Sequence, residues 1–318
     1  MGMAMHSFPF SGIGTRRNFF ILLLFLLPWT LGCDRPGSER SLAPAQGLRV
    51  VVTSFPLEYF VKGVGGDLVS VENMLGAGGD PHHIEPTLRN RAHLARAQLV
   101  VYEGADPSVR RLIDVVRSEQ KGTHWLDLAL WEDRGDGADE VDAGRTHRWL
   151  DPHEAKVMVE QIGSVLSRMD PAHQSSYVRN VRDLQQRLEL LRQRYDQVLS
   201  QARQKTLAVV HDGFRVLARR YGLRYVSVLE AHHEYQEPSP RRLQDLMATL
   251  RAQGVRTLFT QPGVEQGIAH RIGDALGAQI LPLHAMESST QEERQQGYFY
   301  WMERNLNQLA KGFGVSYG

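Results

Sequence analysis

The sequence predicts an α/β protein built as two lobes of parallel sheet, each flanked by helices and joined by one long rigid helix. Three observations predict it. At 318 residues the chain exceeds what a single core usually supports, since cores stop growing beyond ~250–300 residues. Short β-branched runs alternate with longer amphipathic stretches in both halves, the pattern of βαβ units whose strands are covered on both faces. Between the halves lies a helical segment with no internal Gly or Pro.

Composition narrows the class. Hydrophobic residues make up 42% and charged residues 23%, which excludes a fibrous, wholly disordered or multi-span membrane protein. Lys+Arg at 37 against Asp+Glu at 36 gives no basic excess for nucleic acid. The single cysteine, Cys33, excludes an intramolecular disulfide and a multi-thiolate zinc site. Thirteen histidines remain to be explained.

Residues 1–32 are expected to be a signal peptide. Arg16 and Arg17 form the positive region, and the apolar run from Phe19 to Leu31 is too short to span ~30 Å of hydrocarbon comfortably. The run ends in Leu31-Gly32-Cys33, which resembles a bacterial lipobox and implies acylation of Cys33, anchoring the protein to a membrane outside the cytoplasm. Thr15-Arg16-Arg17-Asn18-Phe19-Phe20 also resembles a twin-arginine motif, so both export routes stay open. Removing residues 1–32 takes away two arginines and no acid, leaving a net charge of −1. Residues 33–47 are rich in Pro, Gly and Ser, as a lipid-anchored flexible tether should be.

The first lobe, 48–170, carries candidate strands at 48–55, 68–75, 98–104 and 123–128, with helices at 86–97, 107–119 and 152–169. The linking helix, 171–203, sets Val178, Val181, Leu184, Leu188, Leu191, Tyr195, Val198 and Leu199 at three- and four-residue spacings. The second lobe, 204–318, repeats the plan: strands at 206–211, 224–229, 256–261 and 278–284, helices near 213–221, 239–253, 264–276 and 297–311.

In open α/β sheets ligands collect beyond the C-terminal ends of strands, and that rule sorts the histidines. His211 and His284 directly follow apolar strand runs of the second lobe. His82 follows the strand at 68–75 through a glycine-rich turn, and His147 lies in a loop ahead of Asp151, the expected cap of a helix begun by Pro152. Four imidazoles from four separate ends can converge on a divalent transition metal. Their spacing forms no compact local motif.

Four blocks carry a resemblance: GDPHHIEPTLRNRAHLARAQLVVYEG, HRWLDPHEAKVMVEQI, HDGFRVLARRYGL and EPSPRRLQDLMATLRAQGVRTLFTQP. In combination and order they resemble the zinc/manganese-type (TroA-like) solute-binding lipoproteins of ABC importers, over essentially the whole chain from Leu48. The resemblance implies two lobes joined by a long helix, a metal ion held between them, and delivery to an ABC permease. It implies His82, His147 and His211 as ligands. The fourth ligand of the family is usually an aspartate followed by proline, some seven residues after a glycine; counting from Gly277 reaches His284, with Ala285 in the proline's place. An all-nitrogen site would favour Zn²⁺ over Mn²⁺, which prefers oxygen ligands.

Zinc members often carry a histidine-rich stretch between the positions of Trp131 and His147. Here it is acidic, with Glu132, Asp133, Asp136, Asp139, Glu140 and Asp142, and reads as a solvated loop or an electrostatic lure for cations. His83 should point away from the site. His232 and His233, beside Glu230 and Glu234, read as a solvated loop or an auxiliary gate. The expected function is capture of zinc by a monomeric, non-enzymatic protein that hands it to an ABC permease. Neutral imidazoles are required, so affinity should fall as pH drops through ~6.5. An anchored zinc hydrolase is an alternative weakened by the lack of H-E-x-x-H and by a filled coordination shell; a metal-stabilised surface adhesin is another.

Overall fold

The computed structural model describes residues 47–316 except Pro86, 130–145, 203–204, 230–237 and 263–265. The export segment, Cys33, the acidic loop and the His232/His233 cluster lie outside the described residues. Two four-stranded parallel sheets form the frame. The first has order β2-β1-β3-β4, from β1 (Leu48–Val52), β2 (Val69–Asn73), β3 (Leu99–Tyr102) and β4 (His124–Asp127). The second repeats that order as β6-β5-β7-β8, from β5 (Thr206–Val209), β6 (Arg224–Ser227), β7 (Thr257–Thr260) and β8 (Gln279–Pro282). In each, the chain steps outward from its first strand and then returns to the strand's other side. That reversal opens a crevice at the C-terminal ends of β1 and β3, and of β5 and β7.

The strands sort their side chains with period two. Val50, Val52, Leu99 and Val101 face one continuous core that also receives Leu207, Val209, Phe259 and Leu281 from the second sheet. Val51 and Val100 face the opposite side, under α2 (Leu88–Arg96) and α3 (Pro107–Glu119). Ala208 and Leu258 do the same under α7 (Pro240–Ala252) and α8 (Gln266–Leu276). The strands β3, β5 and β7 are buried at every position, as strands covered on both faces must be.

The shared core is closed by helices. The long helix α5 (Gln174–Ser200) has 27 residues and is therefore roughly 40 Å long. Tyr177, Leu184, Leu188, Leu191, Tyr195, Val198 and Leu199 form its buried stripe. It packs on α4 (Pro152–Met169), α1 (Phe55–Gly65) and α10 (Tyr298–Phe313). Gly163 permits a close approach to α4, since a Cβ there would stand 2.3 Å from a Val181 methyl. Asn180 donates to the Val64 carbonyl of α1 at 2.8 Å, and Tyr195 donates to the Met302 carbonyl of α10 at 2.9 Å. One helix thus fastens an element next to each sheet.

Two helices are additions to the sequence reading. Helix α1 begins at Phe55, where a strand was expected to end; Pro56 occupies its first turn, a position whose missing N–H costs nothing. Helix α9 (Gln291–Gln296) opens with a capping box between Thr290 and Glu293. The remaining helix, α6 (Arg215–Arg220), is short. Strand β8 stops at Pro282 rather than at residue 284, which leaves His284 in the loop beyond it.

Candidate metal centre

His82 is the middle residue of a single 3-10 turn, Pro81–His83, whose preceding Asp80 accepts from the His82 N–H at 2.9 Å. Ser108 Oγ donates to the His82 carbonyl at 2.7 Å. The ring is aimed by Asp106, which pairs closely with His82 Nδ1. The other Asp106 oxygen caps α3, accepting from Ser108 N–H at 2.7 Å and Val109 N–H at 3.0 Å. Burial alone would raise the Asp106 carboxyl, but His82 and the two backbone donors outweigh it and hold the group below its ordinary range. A proton kept on Nδ1 leaves the Nε2 lone pair free to bind a metal.

His147 has a left-handed backbone, φ 61°, rare for a residue other than glycine. Glu103, just beyond β3, stabilises that turn: its two carboxylate oxygens accept from the N–H groups of His147 (3.0 Å) and Arg148 (3.2 Å). Burial pushes the Glu103 carboxyl up to about 8, opposed by Arg148 and these two donors. The Arg148 guanidinium is in turn paired with buried Glu154 at 2.7 Å. Trp149 packs edge-on against the His147 ring and donates to the Ala285 carbonyl at 2.8 Å.

His211 lies two residues beyond β5. Its ring runs against the Gly213 backbone, where an added Cβ would sit 3.0–3.1 Å from the imidazole. The fourth group is Glu287, 2% exposed, on the loop after β8. One of its oxygens is 2.8 Å from His211 Nε2; the other is 3.1 Å from His82 Nε2 and in close contact with His147 Nε2. Burial would raise the Glu287 carboxyl, but the three imidazoles prevail and hold it well below the ordinary carboxylate range. Ring centroids of the three histidines lie 5.2–6.0 Å apart.

Donor atoms of His82, His147, His211 and Glu287 lie within 4.8 Å of one another, all on buried residues. Three imidazole nitrogens and one carboxylate match the tetrahedral, borderline donor set that zinc accepts. Thr53, Ser54 and Thr146 line the small cavity beside them. The donors come from beyond β2, β5 and β8 and from the turn before α4, so both sheets contribute.

His284 is not in this group. Its Nε2 faces Glu293 at 3.1 Å, its Nδ1 accepts from the Met286 N–H at 2.9 Å, and its ring stacks on Trp301 with centroids 4.2 Å apart. Both ring nitrogens are engaged away from the cluster, and Glu287, three residues later, takes the fourth place. Counting from Gly277 stops short because the chain beyond Pro282 first makes a left-handed turn at Met286, φ 67°. No periodicity marks such a loop; the capping box at Thr290 was the one signal of where it ends. Exposed His83 pairs with Asp80 at 3.0 Å, outside the site.

A sequence model of the ZnuA family, described as zinc-uptake complex component A, periplasmic, matches residues 50–312. The chain is 30% identical over 278 residues to the zinc-binding lipoprotein AdcA of Streptococcus pneumoniae, covering 83% of this chain and 55% of AdcA. It therefore spans about half the length of that relative. Its fold is similar to the Zn(II)-bound ZnuA-like domain of S. pneumoniae AdcA, with a TM-score of 0.69, 29% identity, and coverage of 84% of this chain and 99% of that one. It is similar also to the laminin-binding protein Lmb of Streptococcus agalactiae, described as bifunctional with adhesin and metal-transporting activity, with a TM-score of 0.70, 26% identity, and coverage of 84% and 100%. Since the family match extends over most of the chain, this protein belongs to the ZnuA family of periplasmic zinc-uptake components.

Proposed function

We propose that this protein captures one zinc ion outside the cytoplasm with His82, His147, His211 and Glu287 and delivers it to an ABC permease. The buried convergence of three Nε2 atoms on one carboxylate carries the reading. Four protein donors fill a tetrahedral shell and leave no position for an activated water, which favours binding over hydrolysis. A single carboxylate among three imidazoles favours zinc over manganese. Cys33 is the proposed site of lipidation, with residues 33–47 as the tether between membrane and folded body. Lobes of 48–170 and 204–318, the linking helix 171–203 and a monomeric state complete the arrangement. Among the described residues no helix is long and apolar enough to cross a membrane.

The test is zinc and manganese titration of protein purified without added metal, beside His82→Ala and Glu287→Ala. One zinc per chain, held far more tightly than manganese and lost in both variants, is the expected result. Equal affinity for the two metals, or full zinc affinity in Glu287→Ala, would overturn the assignment. Loss of high-affinity zinc uptake in cells lacking the protein tests delivery, and loss of membrane association in Cys33→Ala tests the anchor.

A further inference from the structure

Glu287 sits on an irregular loop, yet that loop is held at nearly every residue. Asn305 of α10, buried, clamps the start: its Oδ1 accepts from His284 N–H and its Nδ2 donates to the His284 carbonyl, both at 2.8 Å. The His284 ring packs, tilted by 33°, over Trp301 of the same helix. Further on, Ser289 Oγ donates to the Met286 carbonyl at 2.9 Å, and the Ser289 carbonyl accepts from Gly78 N–H at 2.8 Å, in the turn ahead of His82. Between the clamps stands Met286, fully buried in a left-handed conformation that L side chains rarely adopt. The backbone must be constrained there, because Glu287 is the next residue.

We propose that His284 is a positioning residue: by accepting the Met286 N–H on Nδ1 while donating from Nε2 to Glu293, it holds the left-handed turn that aims Glu287 at the three imidazoles. This rests on the metal-site reading above. The two bonds require one tautomer, with the proton on Nε2, and that nitrogen faces a carboxylate able only to accept. Burial holds the imidazole below its ordinary value, with Glu293 and then Glu287 opposing it, so the neutral ring that Nδ1 acceptance requires is favoured. The i to i+2 bond from ring nitrogen to backbone has the geometry that Asn and Asp side chains use in Asx-turns. Glu293 is itself fixed by the capping box at the start of α9.

This geometry makes a prediction that separates the two nitrogens. Asn carries an acceptor oxygen near the place of Nδ1, whereas Gln reaches toward the place of Nε2. Variants His284→Asn, His284→Gln and His284→Ala are loaded with Zn(II) and with Co(II), whose visible spectrum reports coordination geometry. Zinc affinity is read by chelator competition and folding by melting of the metal-free protein. His284→Asn is expected to keep a wild-type Co(II) spectrum and zinc affinity within about threefold of wild type. His284→Gln and His284→Ala should still bind one zinc, about 10- to 100-fold more weakly, the usual effect of losing an outer partner of a ligand, with an altered Co(II) spectrum. A purely structural role would lower melting temperature without ordering the spectra Asn above Gln; that outcome, or His284→Gln matching His284→Asn, overturns the proposal. Glu287→Ala is the control. If it loses zinc while the His284 variants do not follow this order, only the positioning role fails; if it binds zinc like wild type, the site reading fails and this proposal with it.

Discussion

Two of the three clustered histidines are placed by a buried carboxylate that bonds the backbone. Asp106 caps α3 and orients His82; Glu103 secures the left-handed turn at His147. Replacing Asp106 by Asn keeps the cap oxygen but offers His82 an amide that can also donate to Nδ1, favouring the wrong tautomer. Zinc affinity should drop by about 10- to 100-fold, measured by chelator competition, with the melting temperature of the metal-free protein changed little. Glu103→Gln presents an N–H₂ to a backbone N–H, so above about pH 8, where Glu103 is ionised, one of two buried donors loses its partner, which costs about 1–3 kcal/mol; thermal unfolding of the metal-free protein on the alkaline side should show it. The four residues of the cluster differed in how legible they were. His82, His147 and His211 could be read because local cues flank each: a glycine-rich turn, a helix cap and an apolar strand. Glu287 could not, since its place depends on a turn at Met286 that the residue itself disfavours and that α9 and α10 impose from outside.

The strands were legible because β-branched runs buried on both faces look alike wherever they occur, and helix α4 because Asp151 announces it with a side-chain cap. Helix α1 has no such announcement. Ser54 stands at its N-cap position without a side-chain bond, and Phe55 with Val61 and Val64 are as much at home in a strand as in a helix. Packing decides there: Phe60 meets Tyr298 edge-on with ring centroids 4.8 Å apart, and Leu57, Val61 and Val64 are fully buried in the shared core. The long helix α5 was legible from spacing, though what its stripe touches was not. Leu188, fully buried, lies mid-helix in that core. Truncation by Leu188→Ala should cost about 2–5 kcal/mol, read from denaturant unfolding. Val178, on the same helix but more than a third exposed, should tolerate Ala with a change within about 0.5 kcal/mol.

At the scale of the whole molecule, the two sheets meet through charge as well as through the apolar core. Arg220, ending α6, pairs closely with Asp151, the N-cap of α4, and lies 2.9 Å from Glu154 in its first turn. Asp151 is wholly buried, and burial lifts its carboxyl to about 6 despite the Arg220 guanidinium. A carboxyl raised in the folded state binds its proton more tightly there than in the unfolded chain. Its charge therefore weighs against folding above about pH 6, and that weight is relieved as pH falls toward the unfolded value of ~3.9. Removing the guanidinium in Arg220→Met leaves the charge without its main partner, at a cost of about 3 kcal/mol near pH 7.5. The deficit relative to wild type should shrink at pH 5, where Asp151 is protonated in both proteins; a deficit independent of pH would show that Arg220 acts by packing. Zinc binding should respond in the opposite direction. The three imidazoles hold Glu287 ionised well below the ordinary carboxylate range, whereas metal binding at neutral nitrogen competes with protons. Isothermal titration at pH 7.5 and 5.0 should find zinc affinity lower at pH 5.0 by at least about 100-fold. At pH 7.5, free zinc at a thousand times the Kd should stabilise the fold by about 4 kcal/mol, and this rise in melting temperature should largely vanish at pH 5.0. Acid would then relieve the cost of the buried Asp151 charge while emptying the centre the two sheets share, and a melting curve taken with and without zinc at each pH separates the two effects.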